Sequence, residues 1–350
     1  MIHALSYVVR PTRLRTGLLI VFAALAATNC GTDPVSPSTL NDSPAAPTSD
    51  PTAGTVMDSP TLASVVSNTS PFGPVGLWNT ATTVSFGPKP FSFSQNANNP
   101  SNIVTQISTA RSMGQRLVLA LSASNTNNVT GGKFDINKWK SHINAYNTTA
   151  IRNAIAAGVS DGTVIGNMLL DEPETRRWGG NIDKKVIDQL ASYAKSIFPS
   201  LPQGINHGPP GYKWHTDQTY KVLDYVLYQY NWWVTTGDVN GWRSTVLARA
   251  KADGVRPALS LNVLDGGVQD RSGAWDCNGS GQAGTGTYAP NCRMTPDQMT
   301  SWGKALVGYG CFLMLWKYDG TYMRKSSNQT AFSTLANAAA SKPRVSCKRP

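Results

Sequence analysis

The glutamates of this chain are confined to one short motif. Glu172 and Glu174 are the two glutamates among its 350 residues, and both stand in segment 168–174, with the sequence MLLDEPE. An apolar run there ends abruptly in carboxyl groups. Carboxyl groups that a fold holds in place can donate and accept protons in catalysis. The motif therefore makes Glu172 and its neighbour Asp171 candidate catalytic residues.

Short apolar runs alternate with helix-like segments from residue 71 onward. The predicted strands are 73–79, 116–122, 164–172, 202–207, 225–232, 257–265 and 311–318. The predicted helices are 101–113, 136–157, 184–198, 239–252, 296–307 and 329–340, and Thr295 before Pro296 is a typical helix start. Such alternation indicates a parallel sheet with crossover helices. We predict an α/β protein with a single (β/α)8 TIM-like barrel domain over residues 71–350.

A closed barrel of this kind needs eight strands, whereas the pattern supplies seven. The eighth strand is expected between residues 122 and 164 or within 83–93. A doubly wound open sheet is the alternative architecture. It is disfavoured because the first strand is followed by Leu77-Trp78-Asn79 rather than by a glycine-rich phosphate-binding turn.

Polar and aromatic side chains close several of the predicted strands. In a (β/α)8 barrel the carboxyl ends of all strands surround one catalytic face. Indole faces stack on the apolar faces of sugar rings, and a few polar groups among aromatics suit a carbohydrate cleft. The predicted substrate-binding residues are Trp78, Asn79, His207, Tyr228, Tyr230, Asn231, Trp232, Asn262, Trp316 and Tyr318.

The sequence Asp171-Glu172-Pro173 resembles the Asn-Glu-Pro strand end of the large retaining clan of (β/α)8 glycoside hydrolases. The resemblance covers residues 71 to about 342 as a barrel. It implies that Glu172 is the general acid/base and that Asp171 takes the place of the Asn that contacts a sugar hydroxyl. That clan often has a tryptophan at the end of its last strand, where Trp316 stands.

The chain departs from that clan at the second carboxylate. The clan's nucleophile is another glutamate at a different strand end, and this chain has no glutamate outside the motif. Glycoside hydrolysis needs two carboxyl groups about 5 Å apart for retention, or roughly 6.5–9.5 Å apart for inversion. Asp265 and Asp319, at strand ends, are the predicted second carboxylates. Further candidates are Asp270, Asp276 and Glu174.

Other functions remain open at this stage. The leading prediction is a glycoside hydrolase, and the alternatives are a non-catalytic carbohydrate-binding barrel and a polysaccharide lyase that uses tyrosine or histidine. Asp171 and Glu172 have a purely structural interpretation too, as partners of Arg176 and Arg177. No cofactor is predicted, and no metal site is expected because the histidines lack metal-ligand spacing.

The N-terminus has the pattern of an export signal. Arg10, Arg13 and Arg15 precede an apolar run over 18–27, and Cys30 follows it in a bacterial lipoprotein-like context. The alternative is ordinary signal peptidase cleavage, which would leave Cys30 a free thiol. We predict a signal peptide over 1–30 and a disordered Pro/Ser/Thr linker over 31–70. The protein is then an outer-membrane or cell-surface lipoprotein, or secreted.

Four further cysteines suit two disulfides in an exported chain. Cys277 and Cys292 fall in one long loop at the catalytic face, whereas Cys311 and Cys347 are expected at the opposite end of the barrel. These positions predict the pairs Cys277–Cys292 and Cys311–Cys347. The tail over 342–349 is expected to be a solvated end.

The formal net charge of +11 leaves several partners open. A basic surface would attract an acidic polysaccharide. The basic residues are dispersed, however, so nucleic-acid binding is disfavoured. The predicted partner is a carbohydrate, with acidic polysaccharides among the candidates, and membrane contact is expected only through the lipid anchor.

Overall fold

The computed structural model describes residues 75–78, 93–97, 99–122, 125–209, 211–231, 238–264, 266–267, 293–316, 322, 324–343 and 345–350. For 75–78, 93–97 and 125–126 the description covers the backbone. Every described residue belongs to the unit Asp58–Pro350. The predicted signal peptide and linker lie outside the described residues, as do Cys30, Asn79, Trp232, Asp265, Asp270, Asp276, Cys277, Cys292, Tyr318 and Asp319.

Eight parallel strands close into a barrel. The strands in chain order are β1 (Val75–Trp78), β2 (Phe93–Ala97), β3 (Arg116–Ala120), β4 (Val129–Thr130), β5 (Lys133–Phe134), β6 (Val164–Asp171), β7 (Gln203–His207), β8 (Tyr225–Tyr230), β9 (Arg256–Asn262) and β10 (Leu313–Trp316). Around the barrel the order is β1-β10-β9-β8-β7-β6-β3-β2, and β4 and β5 form a separate antiparallel hairpin. The predicted (β/α)8 barrel is therefore confirmed, and the open sheet is excluded.

The eighth strand is β2, which begins at the last residue of the predicted interval 83–93. Its sequence, FSQNA, is largely polar, so hydrophobic patterning gives it no signal. The other interval, 122–164, contains the β4–β5 hairpin and two helices. β6 is consequently the fourth strand of the barrel.

Seven α-helices lie among the described residues. They are α1 (Ile103–Ser112), α2 (Ile136–Asn144), α3 (Thr149–Asp161), α4 (Lys184–Ile197), α5 (Val239–Asp253), α6 (Pro296–Leu306) and α7 (Ser326–Ala340). The prediction of one helix over 136–157 was wrong, because Thr148 caps a second helix by accepting from the Ile151 amide at 3.3 Å. Thr295 caps α6 as predicted. None of the described helices is long and apolar enough to cross a bilayer.

The side chains of the strands alternate between the barrel interior and the helix layer. Tyr225 and Leu227 belong to the interior cluster, whereas Val226 packs in the larger cluster between sheet and helices. The Tyr225 ring crosses the interior toward β6, where a Cβ atom on Gly166 would lie 2.8 Å from its hydroxyl oxygen. Glycine therefore provides the space that this ring occupies.

The N-terminal end of the barrel carries the described disulfide. Cys311 and Cys347 are bonded, with their Cα atoms 5.2 Å apart, as predicted. They border a cavity of about 470 Å³ that is also lined by Arg116 and Val164, the first residues of their strands. The expectation of a solvated tail holds only in part: Lys342, Pro343, Ser346 and Lys348 are exposed, whereas the Arg349 guanidinium donates to backbone carbonyls of 220 and 223.

Candidate active site

A ring of polar residues lines the C-terminal mouth of the barrel. Because Leu227 faces the interior, alternation on β8 directs Gln229 there too. In the same way Ala258 and Met314 in the interior cluster indicate that the last residues of β9 and β10 face inward. The inward-facing residues at the ends of β6 to β10 are Asp171, Asn206, Gln229, Asn262 and Trp316.

Asp171 is held by two neighbours, one on each carboxylate oxygen. Its Oδ1 accepts from Asn206 Nδ2 at 2.6 Å, and its Oδ2 accepts from Arg177 Nη1 at 2.9 Å. Asn206 lies directly opposite on β7, so the register of the two strands sets the first contact. The Asp171 side chain remains 30% exposed and can meet a ligand in the mouth.

Glu172 directly follows β6, and its carboxylate contacts both Arg177 and Gln229 of β8. Its Oε2 pairs with Arg177 Nη2, and its Oε1 accepts from Gln229 Nε2 at 3.2 Å. Arg177 thus contacts both neighbouring carboxylates through its two terminal nitrogens. The pairing with Arg177 that the structural interpretation predicted is therefore present. Glu172 nevertheless lies at the mouth of the barrel.

The backbone of Glu172 has a conformation that side-chain-bearing residues rarely adopt, with φ of 50°. Its carbonyl accepts from the Thr175 hydroxyl at 2.8 Å and from the Thr175 amide at 3.0 Å. Trp178 Nε1 donates to the same carbonyl at 3.2 Å and to the Asp171 carbonyl at 3.1 Å. These contacts hold the turn, and backbone strain of this kind concentrates at functional sites.

Burial changes the proton affinity of both carboxyl groups. Burial, followed by the charge of Asp171, raises the pKa of Glu172 from its ordinary 4.5 to about 7, although Arg177 and Gln229 act in the opposite direction. Burial also raises the pKa of Asp171, against the hydrogen bond from Asn206 and the charge of Arg177. A carboxyl group with a pKa near 7 holds a proton that it can donate at neutral pH.

Glu174 lies beside Glu172 but is bound into the protein. Its Oε2 pairs with His207 Nδ1 at 2.9 Å, and its Oε1 accepts from the Gly208 amide. A Cβ atom on Gly208 would lie 3.1 Å from Glu174 Oε1 and 3.2 Å from Glu172 Oε1. The two oxygens are separated by no more than the sum of these distances, which is below the roughly 6.5 Å at which inverting pairs begin.

Three predicted sugar-binding residues face away from the mouth. Tyr228 and Tyr230 pack in the helix-side cluster, where Tyr230 meets the edges of Trp242 and Trp302. The His207 ring stacks on Tyr228 with centroids 5.9 Å apart. Their prediction as mouth residues was wrong, because odd and even positions of a strand face opposite sides of the sheet.

The remaining predicted binding residues have different positions. Asn262 and Trp316 face inward at the mouth, paired in register on β9 and β10. Asn231 is fully buried directly after β8. Trp78 ends β1, and its side chain lies outside the described residues, so its binding role stays a prediction.

Sequence reasoning missed Asn206 and Gln229. Each adjoins a predicted residue, because a position near a strand end does not by itself tell which face of the sheet the side chain takes. The signal that locates Gln229 is the two-residue alternation of the strand, which leads forward from Leu227, an interior residue in the structure, to Gln229. Among the described residues, no group of three potential metal ligands lies together.

Comparisons with known proteins found distantly similar solved structures. No protein-family model matches the chain, and no curated protein matches it. Similar solved structures include a GH113 β-1,4-mannanase, with 10% identity over 76% of this chain and 98% of that chain and a TM-score of 0.45. Xylanase 10B from Thermotoga petrophila RKU-1 has 9% identity over 81% and 99% of the two chains, with a TM-score of 0.46.

A third similar structure is a β-glucuronidase from Ruminococcus gnavus. It has 11% identity and a TM-score of 0.40, and the match spans 65% of this chain but only 38% of the longer enzyme. The three are thus named as a mannanase, a xylanase and a glucuronidase. The assignment of a (β/α)8 barrel to this chain rests on its own closed eight-stranded sheet.

Proposed function

We propose that this protein is a glycoside hydrolase in which Glu172 is the general acid/base. The observation that carries the proposal is the environment of that carboxyl group. Glu172 stands at the C-terminal end of a barrel strand, where barrel enzymes hold their catalytic groups. Burial raises its pKa to about 7, so it can donate a proton to a leaving oxygen and later remove one from water.

The surroundings of Glu172 suit a sugar. Asn206, Gln229 and Asn262 provide amide groups at the mouth, and Trp316 ends the neighbouring strand on the same face. Amides can exchange hydrogen bonds with sugar hydroxyls, and an indole can stack on a pyranose. This combination supports a carbohydrate rather than an apolar substrate.

A second group must complete the reaction. Asp265 and Asp319 are the predicted carboxylates, and they follow β9 and β10 outside the described residues. Glu174 is close to Glu172, but both of its oxygens already bind the protein and its side chain is 9% exposed. Asp265 and Asp319 therefore remain the first protein carboxylates to test, followed by Asp270 and Asp276.

The lyase alternative has less support among the described residues. Tyr228 and Tyr230 pack in the helix-side cluster and His207 stacks on Tyr228, so these three are not placed to remove a proton from a uronate in the mouth, whereas Tyr318 lies outside the described residues. A binding barrel without turnover remains as the outcome that the following experiment would detect.

The decisive experiment compares Glu172→Gln with the wild type on a panel of polysaccharides and oligosaccharides. Glutamine keeps the shape but cannot donate a proton, so turnover should fall by roughly 1,000-fold or more while ligand affinity is retained. Asp217→Asn is the matched control, because the Asp217 side chain is 80% exposed. Unchanged turnover in Glu172→Gln would remove Glu172 from the mechanism. Binding without any turnover by the wild type would favour the binding barrel.

We further propose that the protein is exported and anchored through Cys30. The support is the order of charges, apolar run and cysteine in residues 1–30, followed by a Pro/Ser/Thr-rich segment over 31–70. A linker of that composition would give the barrel reach from a membrane surface. Its substrate would then be an extracytoplasmic polysaccharide or glycoconjugate.

A further inference from the structure

We propose that the substrate is a β-linked 2-acetamido sugar, whose own acetamido carbonyl supplies the nucleophile while Asp171 accepts the acetamido N–H. The inference rests on the proposed function, since it requires Glu172 as the proton donor. Asp171 would then contact the substrate directly in the reaction. The acetamido carbonyl also removes the need for a carboxylate from Asp265 or Asp319.

The first observation is that the described carboxyl groups approach the mouth from one side. Asp171 ends β6, and Glu172 and Glu174 follow it in the next loop. Arg177 contacts both Asp171 and Glu172, which keeps those two side by side. A carboxylate that displaces a leaving group must attack the sugar from the face opposite the proton donor. Neither Asp171 nor Glu174 is positioned across the mouth from Glu172.

The second observation concerns the strands that follow β6 around the barrel. The inward side chains at the ends of β7, β8 and β9 are the amides of Asn206, Gln229 and Asn262, and Trp316 ends β10. Within the described part of the mouth, amides and an indole thus stand where a nucleophilic carboxylate would be needed. Amides are not nucleophiles at carbon, so no protein nucleophile stands opposite Glu172 among the described residues, and the proposal takes the nucleophile from the substrate.

The third observation is that Asp171 is oriented but not saturated. Asn206 and Arg177 each donate to one of its oxygens, and each carboxylate oxygen can accept a further hydrogen bond. An acetamido group presents one N–H to such an acceptor. The negative charge of Asp171 would stabilise the positive charge that this nitrogen gains when the carbonyl oxygen attacks.

The fourth observation is a pair of buried acceptors without partners. Asn206 Oδ1 and Asn262 Oδ1 make no hydrogen bond within the described structure, and the two residues are 2% and 3% exposed. A buried acceptor without a donor costs free energy, so these oxygens are expected to meet donors of a ligand. Sugar hydroxyls and an acetamido N–H are donors, whereas a uronate carboxylate at this position is not.

The proposed reaction balances in two steps. In the first, the acetamido carbonyl oxygen bonds to the anomeric carbon, the glycosidic carbon–oxygen bond breaks, and the leaving oxygen takes the proton of Glu172. The product is a cyclic oxazolinium, whose N–H is bound by Asp171. In the second step, Glu172 takes a proton from water, whose oxygen bonds to the anomeric carbon as the ring reopens. The acetamide is restored, and the configuration is retained.

Three tetrasaccharides test the inference with the carbon-2 substituent as the variable. They are the β-1,4-linked tetramers of N-acetylglucosamine, glucosamine and glucose. A second set of probes consists of aryl β-glycosides, in which N-acetylglucosamine is matched with glucose and N-acetylgalactosamine with galactose. The acetamido probes should be cleaved at least roughly 100-fold faster than their matched counterparts, because only they carry the nucleophile. Cleavage of the 2-hydroxy probes alone, or of both kinds equally, would overturn the inference and leave the hydrolase intact. Absence of cleavage on every probe counts against the proposed function itself.

A second measurement separates the acetamido route from a protein nucleophile. Replacing the N-acetyl group of a cleaved aryl glycoside by N-trifluoroacetyl weakens the carbonyl as a nucleophile, so kcat should fall at least tenfold, and Asp171→Asn should lower kcat by roughly 100-fold. A stable thiazoline analogue of the cyclic intermediate should inhibit the wild type and bind Asp171→Asn more weakly. Covalent labelling of Asp265 or Asp319 by a 2-deoxy-2-fluoro glycoside, with rates insensitive to fluorination of the acyl group, would contradict the proposal.

Discussion

Gln229 donates a hydrogen bond from its Nε2 to Oε1 of Glu172 at 3.2 Å, which links the end of β8 to the turn after β6. Gln229 is 4% exposed, so the contact is shielded from water. It stabilises the ionised form of Glu172 and opposes the effect of burial on the pKa of that group. The amide therefore lowers the pKa of the proton donor from a strand two positions away around the barrel.

Replacement of Gln229 should change the pH dependence of activity. Gln229→Leu removes a hydrogen bond to the carboxylate, so the pKa of Glu172 should rise and the alkaline limb of kcat/KM should move to higher pH. Gln229→Glu adds a negative charge and should move the limb further in the same direction. A pH–rate profile of each variant measures the shift. A limb that stays in place in both variants would show that another group controls it.

The pKa of Glu172 also predicts how stability depends on pH. The folded state holds this proton up to about pH 7, whereas the unfolded state loses it near 4.5. Stability should therefore fall as pH rises between those values and then remain level. Glu172→Gln removes this dependence, so the variant should gain up to about 3 kcal/mol relative to the wild type between pH 4 and pH 8. Urea unfolding at several pH values tests this, and parallel curves for both proteins would contradict it.

Trp178 is expected to act on catalysis through the position of Glu172. Trp178→Phe keeps an aromatic side chain but removes the indole N–H that binds the Asp171 and Glu172 carbonyls. The kcat should therefore fall roughly tenfold to 100-fold, with little change in KM. Trp139→Phe is the matched control, because its N–H binds the Leu169 carbonyl on the same strand at 3.1 Å. The control should lose stability and keep kcat. Equal losses of kcat in both variants would point to a general effect on the barrel.

The disulfide should stabilise the closed barrel from its N-terminal end. Cys311 and Cys347 are 36 residues apart in sequence, and the chain-entropy model assigns such a cross-link about 4 kcal/mol. The double variant Cys311→Ala/Cys347→Ala should lose stability of this order in denaturant titrations under oxidising conditions. Its kcat should be retained, because the disulfide and the mouth lie at opposite ends of the barrel. Equal stability of the oxidised wild type and the variant would contradict a stabilising role.

Lipidation of Cys30 is tested in a bacterial host that processes lipoproteins. Metabolic labelling with palmitate should mark the wild type, and globomycin should cause its precursor to accumulate. Cys30→Ala should abolish the label and release the protein from the membrane fraction. An unlabelled wild-type protein would support ordinary signal peptidase cleavage instead.

The fold was largely predictable from local sequence. Apolar runs that alternate with helical segments located seven of the eight strands, since burial on both faces of a parallel sheet requires continuous apolar runs. β2 was missed because FSQNA lacks such a run and gains its place by pairing with β1 and β3. The break between α2 and α3 was missed because it depends on a side-chain cap at Thr148 rather than on a glycine or proline.

For the candidate site, the sequence determined which residues could carry the chemistry and at which end of the barrel they lie. The concentration of both glutamates in one strand-end motif singled out Glu172, and the spacing of Cys311 and Cys347 around the last strand and helix predicted their pairing. Both inferences use positions along the chain. A strand end belongs to a known face of the barrel once the fold class is recognised.

Only the tertiary structure decided which side chains meet. Asn206 and Gln229 reach the carboxylates of Asp171 and Glu172 because strand pairing and alternation bring residues 35 and 57 positions apart into contact. The same alternation turns Tyr228 toward the helices, although it adjoins Gln229 in sequence. The pKa of Glu172 follows from burial and neighbouring charges, which depend on atoms from several strands and cannot be obtained from a motif of three residues.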